Sequence, residues 1–308
     1  MVAGPFGAVV GGIAFIVPGL TVILGLAALF LAASPPTWVL AAGAGAGAAV
    51  AAVAVNAGAS LLPASWKRAP VRWRWVLYAL AGGISAATVG PWLVVVLLAC
   101  GAIELGVRQL GAGGRLGAHA FPMLLASAPA TGGVLALAWV AIKVGALAYG
   151  GGFVIVPLMQ QDAVNHYHWM TNSQFLDAVA LGQVTPGPVV QTVAVVGYAA
   201  AGVAGGLFAA LIAFSPSFVF VLSGARHFDA LRQNTAARAF LDGAGPAAIG
   251  AIVGVAVPLA AALTQGWQVG VLGAAAFSLF VLRRSVVLTV VGAAAVGVVA
   301  VHFGAPLP

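Results

Sequence analysis

The stretch LGQVTPGPVVQT, from Leu181 to Thr192, carries two prolines and two glycines within seven residues. Proline has no backbone N–H and clashes with the preceding helical turn, so this stretch predicts a break in a helix. Amide and hydroxyl side chains flank the break, although the sequence on both sides is strongly apolar. A polar, broken segment inside apolar sequence predicts a membrane protein with an interrupted helix.

The composition of the whole chain supports a membrane location. Hydrophobic residues make up 63% of the 308 residues and charged residues only 6%, whereas soluble domains contain about 25% charged residues. A spanning helix needs about 20 apolar residues, and long uncharged runs recur along the chain. We therefore predict an all-α, polytopic transmembrane bundle, since the alternating pattern of an outer-membrane barrel does not occur.

The apolar runs predict eight spans and one irregular segment. The spans are 8–31, 37–62, 75–105 (a broken pair of short helices), 132–149, 203–225, 239–263, 267–282 and 286–303. Pro18 is expected to interrupt the first span, and Gly90–Pro91 the third. Residues 150–200 contain the opening stretch, and we expect them to form a re-entrant or broken-helix segment.

The basic residues cluster at the ends of the apolar runs. The chain has 12 Lys and Arg against 5 Asp and Glu, a formal net charge of +7. This placement follows the positive-inside rule of membrane proteins, so the charge does not indicate a nucleic-acid partner. We predict a multi-pass protein of the plasma membrane, or of the inner membrane in a cell that has two membranes. The cytoplasmic basic loops would lie near residues 67–74, 108–115, 226–238 and 283–284.

An internal repeat organises the chain. Two glycines and a proline recur at an offset of 198: Gly4, Gly7 and Pro18 match Gly202, Gly205 and Pro216. GAGAGAAV from Gly43 also matches GAGPAAIG from Gly243 at an offset of 200. The basic loops make the two copies run in opposite directions, a common plan of secondary transporters.

The repeat divides the sequence into three sections. These are a partial first repeat (1–66), a connecting region with basic loops and a short helical hairpin (67–130), and a second repeat with C-terminal helices (131–308). The region 149–192 has no counterpart in the first copy. Either the chain is truncated, or it has an unusual start, or a partner chain or second copy supplies that part.

Two signatures in the second repeat carry a family resemblance. In order, the residues read KVGALAYGGGF (143–153), Pro157, HWMT (168–171), FLDAVALGQVTPGP (175–188) and Gly197–Tyr198. This ordered set resembles the chromate ion transporter family, densely over 130–260 and more weakly over 1–62. Tyr149 stands where the family usually has phenylalanine, and the first copy of both signatures is absent.

The resemblance implies a secondary transporter of a divalent oxyanion, most directly chromate efflux and chromate resistance. Sulfate has a similar shape and charge, so transport could be sulfate-linked or proton-coupled. No ATP-binding Gly-x-x-x-x-Gly-Lys-[Ser/Thr] loop occurs, and we expect no cofactor. The first alternative is a non-transporting half subunit that needs a second chain. A membrane-embedded enzyme is disfavoured, because the spans carry no catalytic constellation.

The break itself predicts an oxyanion site. A helix that starts there would present free N–H groups and its positive dipole end. Thr185 would be the N-cap and Pro186 the first helical residue, while Gly187 leaves room for a ligand. The alternative is a proline kink that serves packing. The side chains expected to contact the ligand are Gln183, Thr185 and Gln191.

A second predicted break joins this site. Gly150, Gly151 and Gly152 would let backbone amides form an anion-receiving concavity, with tight helix packing as the alternative. Lys143 has at least six uncharged residues on each side, and buried ionisable residues in membranes are functional candidates. It would attract the anion or, as a neutral amine, couple transport to protons. The alternative is a lysine that reaches the membrane interface.

Asp177 is the second proton-coupling candidate. It would carry a proton or act as the counter-charge of Lys143, and the alternative is a carboxylate at a helix end. Asp162, His166 and His168 lie in an amphipathic stretch that we assign to the interface. We expect no metal site, because a His-x-His pair without cysteine or further carboxylates is a weak ligand set.

Overall fold

A computed structural model describes residues 4–88, 93–111, 132–148, 155–224 and 233–307. These residues form helices and the turns between them, with no β-strand among them, which confirms the predicted all-α fold. Within this part of the chain, five helices are long and apolar enough to cross a membrane: Phe6–Phe30, Thr37–Arg68, Leu93–Leu110, Val189–Ser223 and Thr235–Ala261.

The first four helices follow the predicted spans closely. They are α1 (Gly4–Phe30), α2 (Thr37–Arg68), α3 (Arg72–Thr88) and α4 (Leu93–Gly111). The expected interruption of the first span at Pro18 is wrong, because α1 stays helical through that residue. A proline removes one hydrogen bond from a long membrane helix, and the packing of neighbouring helices keeps the rest in place.

Between residues 132 and 200, the part that the structure describes contains no complete helix of full membrane length. The elements are α5 (Val134–Leu147), α6 (Ile155–Gln160) with a π-helical turn (Gln161–His166), α7 (Asn172–Val184), and a 3₁₀ turn (Val189–Gln191) that leads into α8 (Thr192–Gly224). With 13 or 14 residues, α5 and α7 are about 20 Å long, against about 30 Å of bilayer hydrocarbon. This is the broken-helix segment that the sequence predicts.

Helix α8 folds back on itself at residues 201–202. Ala201 and Gly202 leave helical backbone geometry, and Gly202 has φ +64°. The backbones of Gly197 and Gly205 touch, since a Cβ on either would collide with the carbonyl oxygen of the other. In a straight helix these residues would be about 12 Å apart. The short arm 192–200 therefore lies against the arm 203–224, which is about 33 Å long.

The remaining helices complete the bundle: α9 (Thr235–Gly254), α10 (Ala256–Ala261), α11 (Gly266–Phe280) and α12 (Val286–His302). Asn234 and Ser285 cap the starts of α9 and α12 by accepting backbone N–H bonds, which satisfies donors that the first helical turn leaves free.

Small residues allow α2 to lie at the centre of the bundle. Gly45 of α2 packs directly on the backbone of Gly297 in α12, and Gly58 packs against Val253 of α9. Glycine at such crossings lets membrane helices approach closely. Because α2 contacts helices from the end of the chain, the described sections form one bundle. The division at residues 66 and 130 stays a prediction.

The arms that match in the internal repeat run antiparallel. Gly12 of α1 lies against Phe218, and Leu24 lies against Gly206. Residue numbers thus rise along α1 while they fall along 203–224. This packing agrees with the opposite directions predicted for the two copies, and it places the middle of α1, near residue 17, beside Ala213.

Candidate functional site

The break after α7 begins with a helix end. Thr185 follows the last helical residue, Val184, and both its backbone N–H and its Oγ1 donate to the carbonyl oxygen of Leu181, each at 3.0 Å. Thr185 therefore closes α7. The prediction that Thr185 is the N-cap of a new helix is wrong.

The next helix begins only at Val189, with Pro188 in the N-cap position at φ −77° and ψ 141°. The second proline explains the delay. Pro188 disfavours helical geometry at the residue before it, so a helix that starts at Pro186 cannot continue through Gly187. The break is thus a short non-helical segment, and its new helix N-terminus lies three residues later than predicted.

Gly187 and Gln191 meet inside the break. Gly187 has φ +127°, and a Cβ there would lie 2.8 Å from Nε2 of Gln191. Gln191 is fully buried, and its Nε2 donates to the carbonyl oxygen of Ile16 in α1 at 2.9 Å. A Cβ on Gly19 would collide with the carbonyl oxygen of Pro186. Helix α1 therefore closes one side of the break.

Unpartnered polar atoms concentrate on this segment. Four buried side-chain atoms between residues 177 and 192 have no hydrogen-bond partner among the described residues: Asp177 Oδ1, Gln183 Nε2, Gln191 Oε1 and Thr192 Oγ1. Buried polar atoms in folded proteins nearly always have a partner. The segment therefore retains hydrogen-bonding capacity that water or a polar ligand would satisfy.

The break lies near the middle of the bundle. It touches α1 at Ile16 and Gly19, next to the midpoint of that 27-residue helix. On the other side, Gly145 of α5 packs on the backbone of Ala213, which is the middle of 203–224. Since the midpoints of these two long helices coincide, the break and the adjacent turn of α5 lie at one depth.

Lys143 lies on that turn of α5. Its Nζ is 2.6 Å from Oδ2 of Asp162 and 5.7 Å from the ring centroid of Trp139. The counter-charge of Lys143 is therefore Asp162, which the sequence had assigned to the interface, and not Asp177. The π-helical turn after α6 brings Asp162 against α5, and sequence spacing gave no sign of that turn.

Asp177 lies one turn inside α7 and faces α2. A Cβ on Gly43 would be 2.9 Å from its Oδ1, and a Cβ on Gly47 would be 3.3 Å away. These two glycines, four residues apart on α2, form a niche for the carboxyl group. The helix-end alternative is wrong, because Thr171 and Gln174 form the capping box of α7 instead. Within the described residues, Asp177 has no ion pair.

Two further sequence predictions concern the three glycines at 150–152 and the absence of a metal site. Gly150, Gly151 and Gly152 lie outside the described residues. Within the described part of the chain, no group of three or more His, Cys, Asp or Glu side chains could hold a metal ion. Sequence reasoning missed the contribution of Ile16 and Gly19, and it missed the glycine niche, although the four-residue spacing in GAGAGAAV was a usable signal.

A second charged cluster joins α3, α4 and α9 and is fully paired. Glu104 is 2% exposed. It accepts from Arg108 Nε at 2.8 Å and from the Tyr78 hydroxyl at 3.2 Å, and Arg74 Nη1 lies 3.4 Å away. Arg108 also bonds Asp242 at 2.8 Å. Each buried oxygen of this cluster has a partner, in contrast to the break.

Comparison with known sequences places the chain. The sequence profile of a family described as "Chromate transporter" matches residues 135–298, more than half of the chain. The chromate transport protein of Cupriavidus metallidurans is 39% identical over 160 residues, which are 51% of this chain and 40% of that protein. The chromate transport protein of Pseudomonas aeruginosa is 32% identical over 163 residues, 51% of this chain and 39% of that protein.

A longer and weaker match covers most of the chain. The probable chromate transport protein of Synechococcus elongatus is 28% identical over 269 residues, 83% of this chain and 67% of that protein. The matched part of the chain thus spans about 40% of the length of the Cupriavidus and Pseudomonas proteins. No solved structure matches the chain.

Proposed function

This chain belongs to the chromate transporter family, and from that premise we propose that it is a secondary transporter of chromate, a tetrahedral divalent oxyanion. Three relatives carry chromate transport in their names. The apolar helices make the chain a multi-pass protein of the plasma membrane. By the same resemblance, the proposed direction is outward, and sulfate is the expected competitor.

The observation that carries the proposal is the polar break at mid-depth. An oxyanion that crosses a bilayer must exchange its water shell for fixed hydrogen-bond donors. Irregular backbone within a membrane is tolerated where it is buried in protein or lines a polar cavity. The break between α7 and α8 combines such backbone with unpartnered polar atoms near the midpoint of α1. These features support a binding site.

Several groups would share the ligand. The amide of Gln183 and the hydroxyl of Thr192 are unpartnered donors, and the helix start at Val189 offers N–H groups with the positive end of a dipole. Gln191, tied to α1, would orient the break. Lys143 would supply positive charge at the same depth. Gly187 and the glycines at 150–152 complete the predicted site, whereas the N-cap role of Thr185 is excluded because that residue closes α7.

Proton coupling is a separate step of the proposal. Asp177 has a carboxyl oxygen without a hydrogen-bond partner, held in the niche of Gly43 and Gly47. Acidic groups inside membrane proteins commonly serve as proton carriers. We propose that Asp177 binds and releases the proton that drives the anion, with Lys143 contributing the charge that the anion neutralises.

The test is chromate flux into sealed vesicles that contain only the purified full chain. Flux should rise when a proton gradient is imposed and fall when sulfate is added. The double variant Lys143→Met/Asp162→Asn removes both charges of the ion pair together, so it should abolish flux while the protein stays folded. Lys67→Met is the matched control, because Lys67 is the other lysine and lies exposed at the end of α2.

The outcomes separate the proposal from its alternatives. Flux that is unchanged in the double variant would remove Lys143 from the site. Flux that no longer responds to the proton gradient in Asp177→Asn, but persists without it, would support the coupling step. If the chain alone shows no flux, and flux appears when a full-length relative's missing part is supplied as a second chain, the chain is an obligate-partner half.

A further inference from the structure

The ion pair of Lys143 and Asp162 has a feature that binding of an anion alone does not require. The two charges are 2.6 Å apart, and their side chains are 22% and 10% exposed. They lie at the depth of the polar break, since Gly145 packs on Ala213 at the middle of the long arm of α8. Lys143, the cation that the described residues offer to an anion at this depth, is therefore already neutralised by a carboxylate of the same chain.

The carboxylate stands where an anion would bind. Trp139 lies 5.7 Å from the ammonium on one side, and the carboxylate of Asp162 lies at ion-pair distance from it. A divalent oxyanion that approaches the intact ion pair meets a site that has no net charge. The carboxylate in that site carries the same sign of charge as the oxyanion. Like charges at one site repel each other, so the oxyanion gains the full attraction of Lys143 only when the carboxylate moves away.

Asp162 is carried by an element with an alternative geometry. It belongs to the π-helical turn Gln161–His166. Such turns are rare, usually confined to single turns, and frequent at functional sites. A π-helical turn holds more residues than an α-helical turn, so a change to α-helical geometry would rotate Asp162 about the helix axis. Just beyond the turn, the backbone of His168 has φ +53°, in the left-handed region that residues other than glycine rarely adopt.

We propose that Asp162 is a tethered competitor of the transported oxyanion: its carboxylate occupies Lys143 in the empty site and is displaced when the substrate binds. The inference rests on the proposed function of the break. It makes Asp162 a residue that determines affinity without contacting the substrate. A transporter must bind its ion firmly enough to admit it and weakly enough to release it, and a built-in competitor lowers the affinity into that range.

The experiment measures equilibrium binding of radiolabelled sulfate and chromate to the purified full chain. In Asp162→Asn, which keeps the side-chain volume but removes the charge, the dissociation constant should fall about tenfold, the factor that corresponds to about 1.4 kcal/mol. The matched control is Asp242→Asn. Asp242 pairs with Arg108 in the cluster of α3, α4 and α9, so its neutralisation should leave sulfate binding unchanged.

A second measurement needs no variant. When sulfate saturates the wild-type chain, the infrared carboxylate stretch of one aspartate should shift as Asp162 leaves the ammonium. Tighter binding in Asp162→Asn together with this shift supports the inference. Unchanged or weaker binding in that variant, or a carboxylate spectrum that sulfate does not alter, overturns it. A wild-type chain that binds neither anion would instead overturn the proposed function.

Discussion

Two polar regions in this membrane bundle are built in opposite ways. The cluster of Glu104, Arg74, Arg108, Tyr78 and Asp242 joins three helices, and each of its charges has a partner within hydrogen-bonding or ion-pair distance. In the segment 177–192, four side-chain atoms are also buried, yet they have no hydrogen-bond partner among the described residues. Both regions bury polar groups away from water. Only the charged cluster replaces the lost hydrogen bonds to water with hydrogen bonds and ion pairs inside the protein.

The difference separates polar groups that stabilise the fold from polar groups that are available to a ligand. A buried polar network that is fully satisfied rigidifies and specifies a fold, whereas unpartnered groups carry a cost. Such a cost is frequent at functional sites, and at this depth a polar ligand would offset it. The paired cluster should therefore govern stability, and the unpaired segment should govern transport.

The strongest test of the comparison is Gly187→Leu. The residue has φ +127°, and its side chain would run into Gln191, so both the break and the site would be distorted. We expect transport to be abolished while the protein still inserts into the membrane. Gly304→Leu is the control, because Gly304 has φ +92° but no atom near an added Cβ. Normal flux in Gly187→Leu would mean that the break serves packing only.

The paired cluster is tested by Arg108→Leu. This change leaves the buried Glu104 with a single arginine at 3.4 Å, and an incompletely paired buried charge costs about 3 kcal/mol. We expect a lower unfolding temperature in detergent, with flux per folded molecule unchanged. Arg284→Leu, an exposed arginine beyond α11, should leave the unfolding temperature as it is. Loss of flux without loss of stability in Arg108→Leu would contradict the division of roles.

A smaller effect is expected from Gln191→Leu. The variant loses one hydrogen bond to α1 but also removes an unpartnered oxygen, so stability should change by less than about 1 kcal/mol. Transport should fall about tenfold, because the break loses the group that orients it against α1. Gln160→Leu is the comparison variant, since that amide bonds Asn172 at an exposed position. Equal flux in both variants would remove Gln191 from the site.

Thr192→Val should have the smallest effect. Valine keeps the shape and removes a hydroxyl that has no partner, so the fold should be as stable or slightly more stable. The concentration of chromate that half-saturates transport should rise about threefold, the scale of one neutral hydrogen bond. Thr289→Val sharpens the contrast, because the Thr289 hydroxyl pairs with Ser278 at 2.9 Å. That variant should lose stability and keep its flux.

Much of the fold could be predicted from the sequence. Apolar runs located α1, α2 and the long arm of α8 to within a few residues, because spanning length is a direct consequence of bilayer thickness. The position of the break also followed from Pro186 and Pro188. Its internal geometry did not, since the effect of Pro188 on Gly187 moved the helix start from Pro186 to Val189.

The candidate site was predictable in its polar residues but not in their partners. Gln183, Gln191, Lys143 and Asp177 are conspicuous as polar side chains in apolar sequence. Nothing in the spacing indicated that Ile16 would bond Gln191, or that Asp162 would neutralise Lys143. The chain has five acidic residues, so few residues could be the counter-charge of Lys143. Which of them pairs with Lys143 depended on a π-helical turn.

The sequence by itself determined that this chain crosses a membrane and that its helix breaks at residues 185–188, and it predicts two copies that run in opposite directions. These properties depend on local chemistry: apolar length, proline and the placement of basic residues. The tertiary structure alone decided which polar groups meet. Pairing across helices depends on how each helix is rotated about its axis and on how deep it lies in the bundle. Close contacts between glycines such as Gly45 and Gly297 set both.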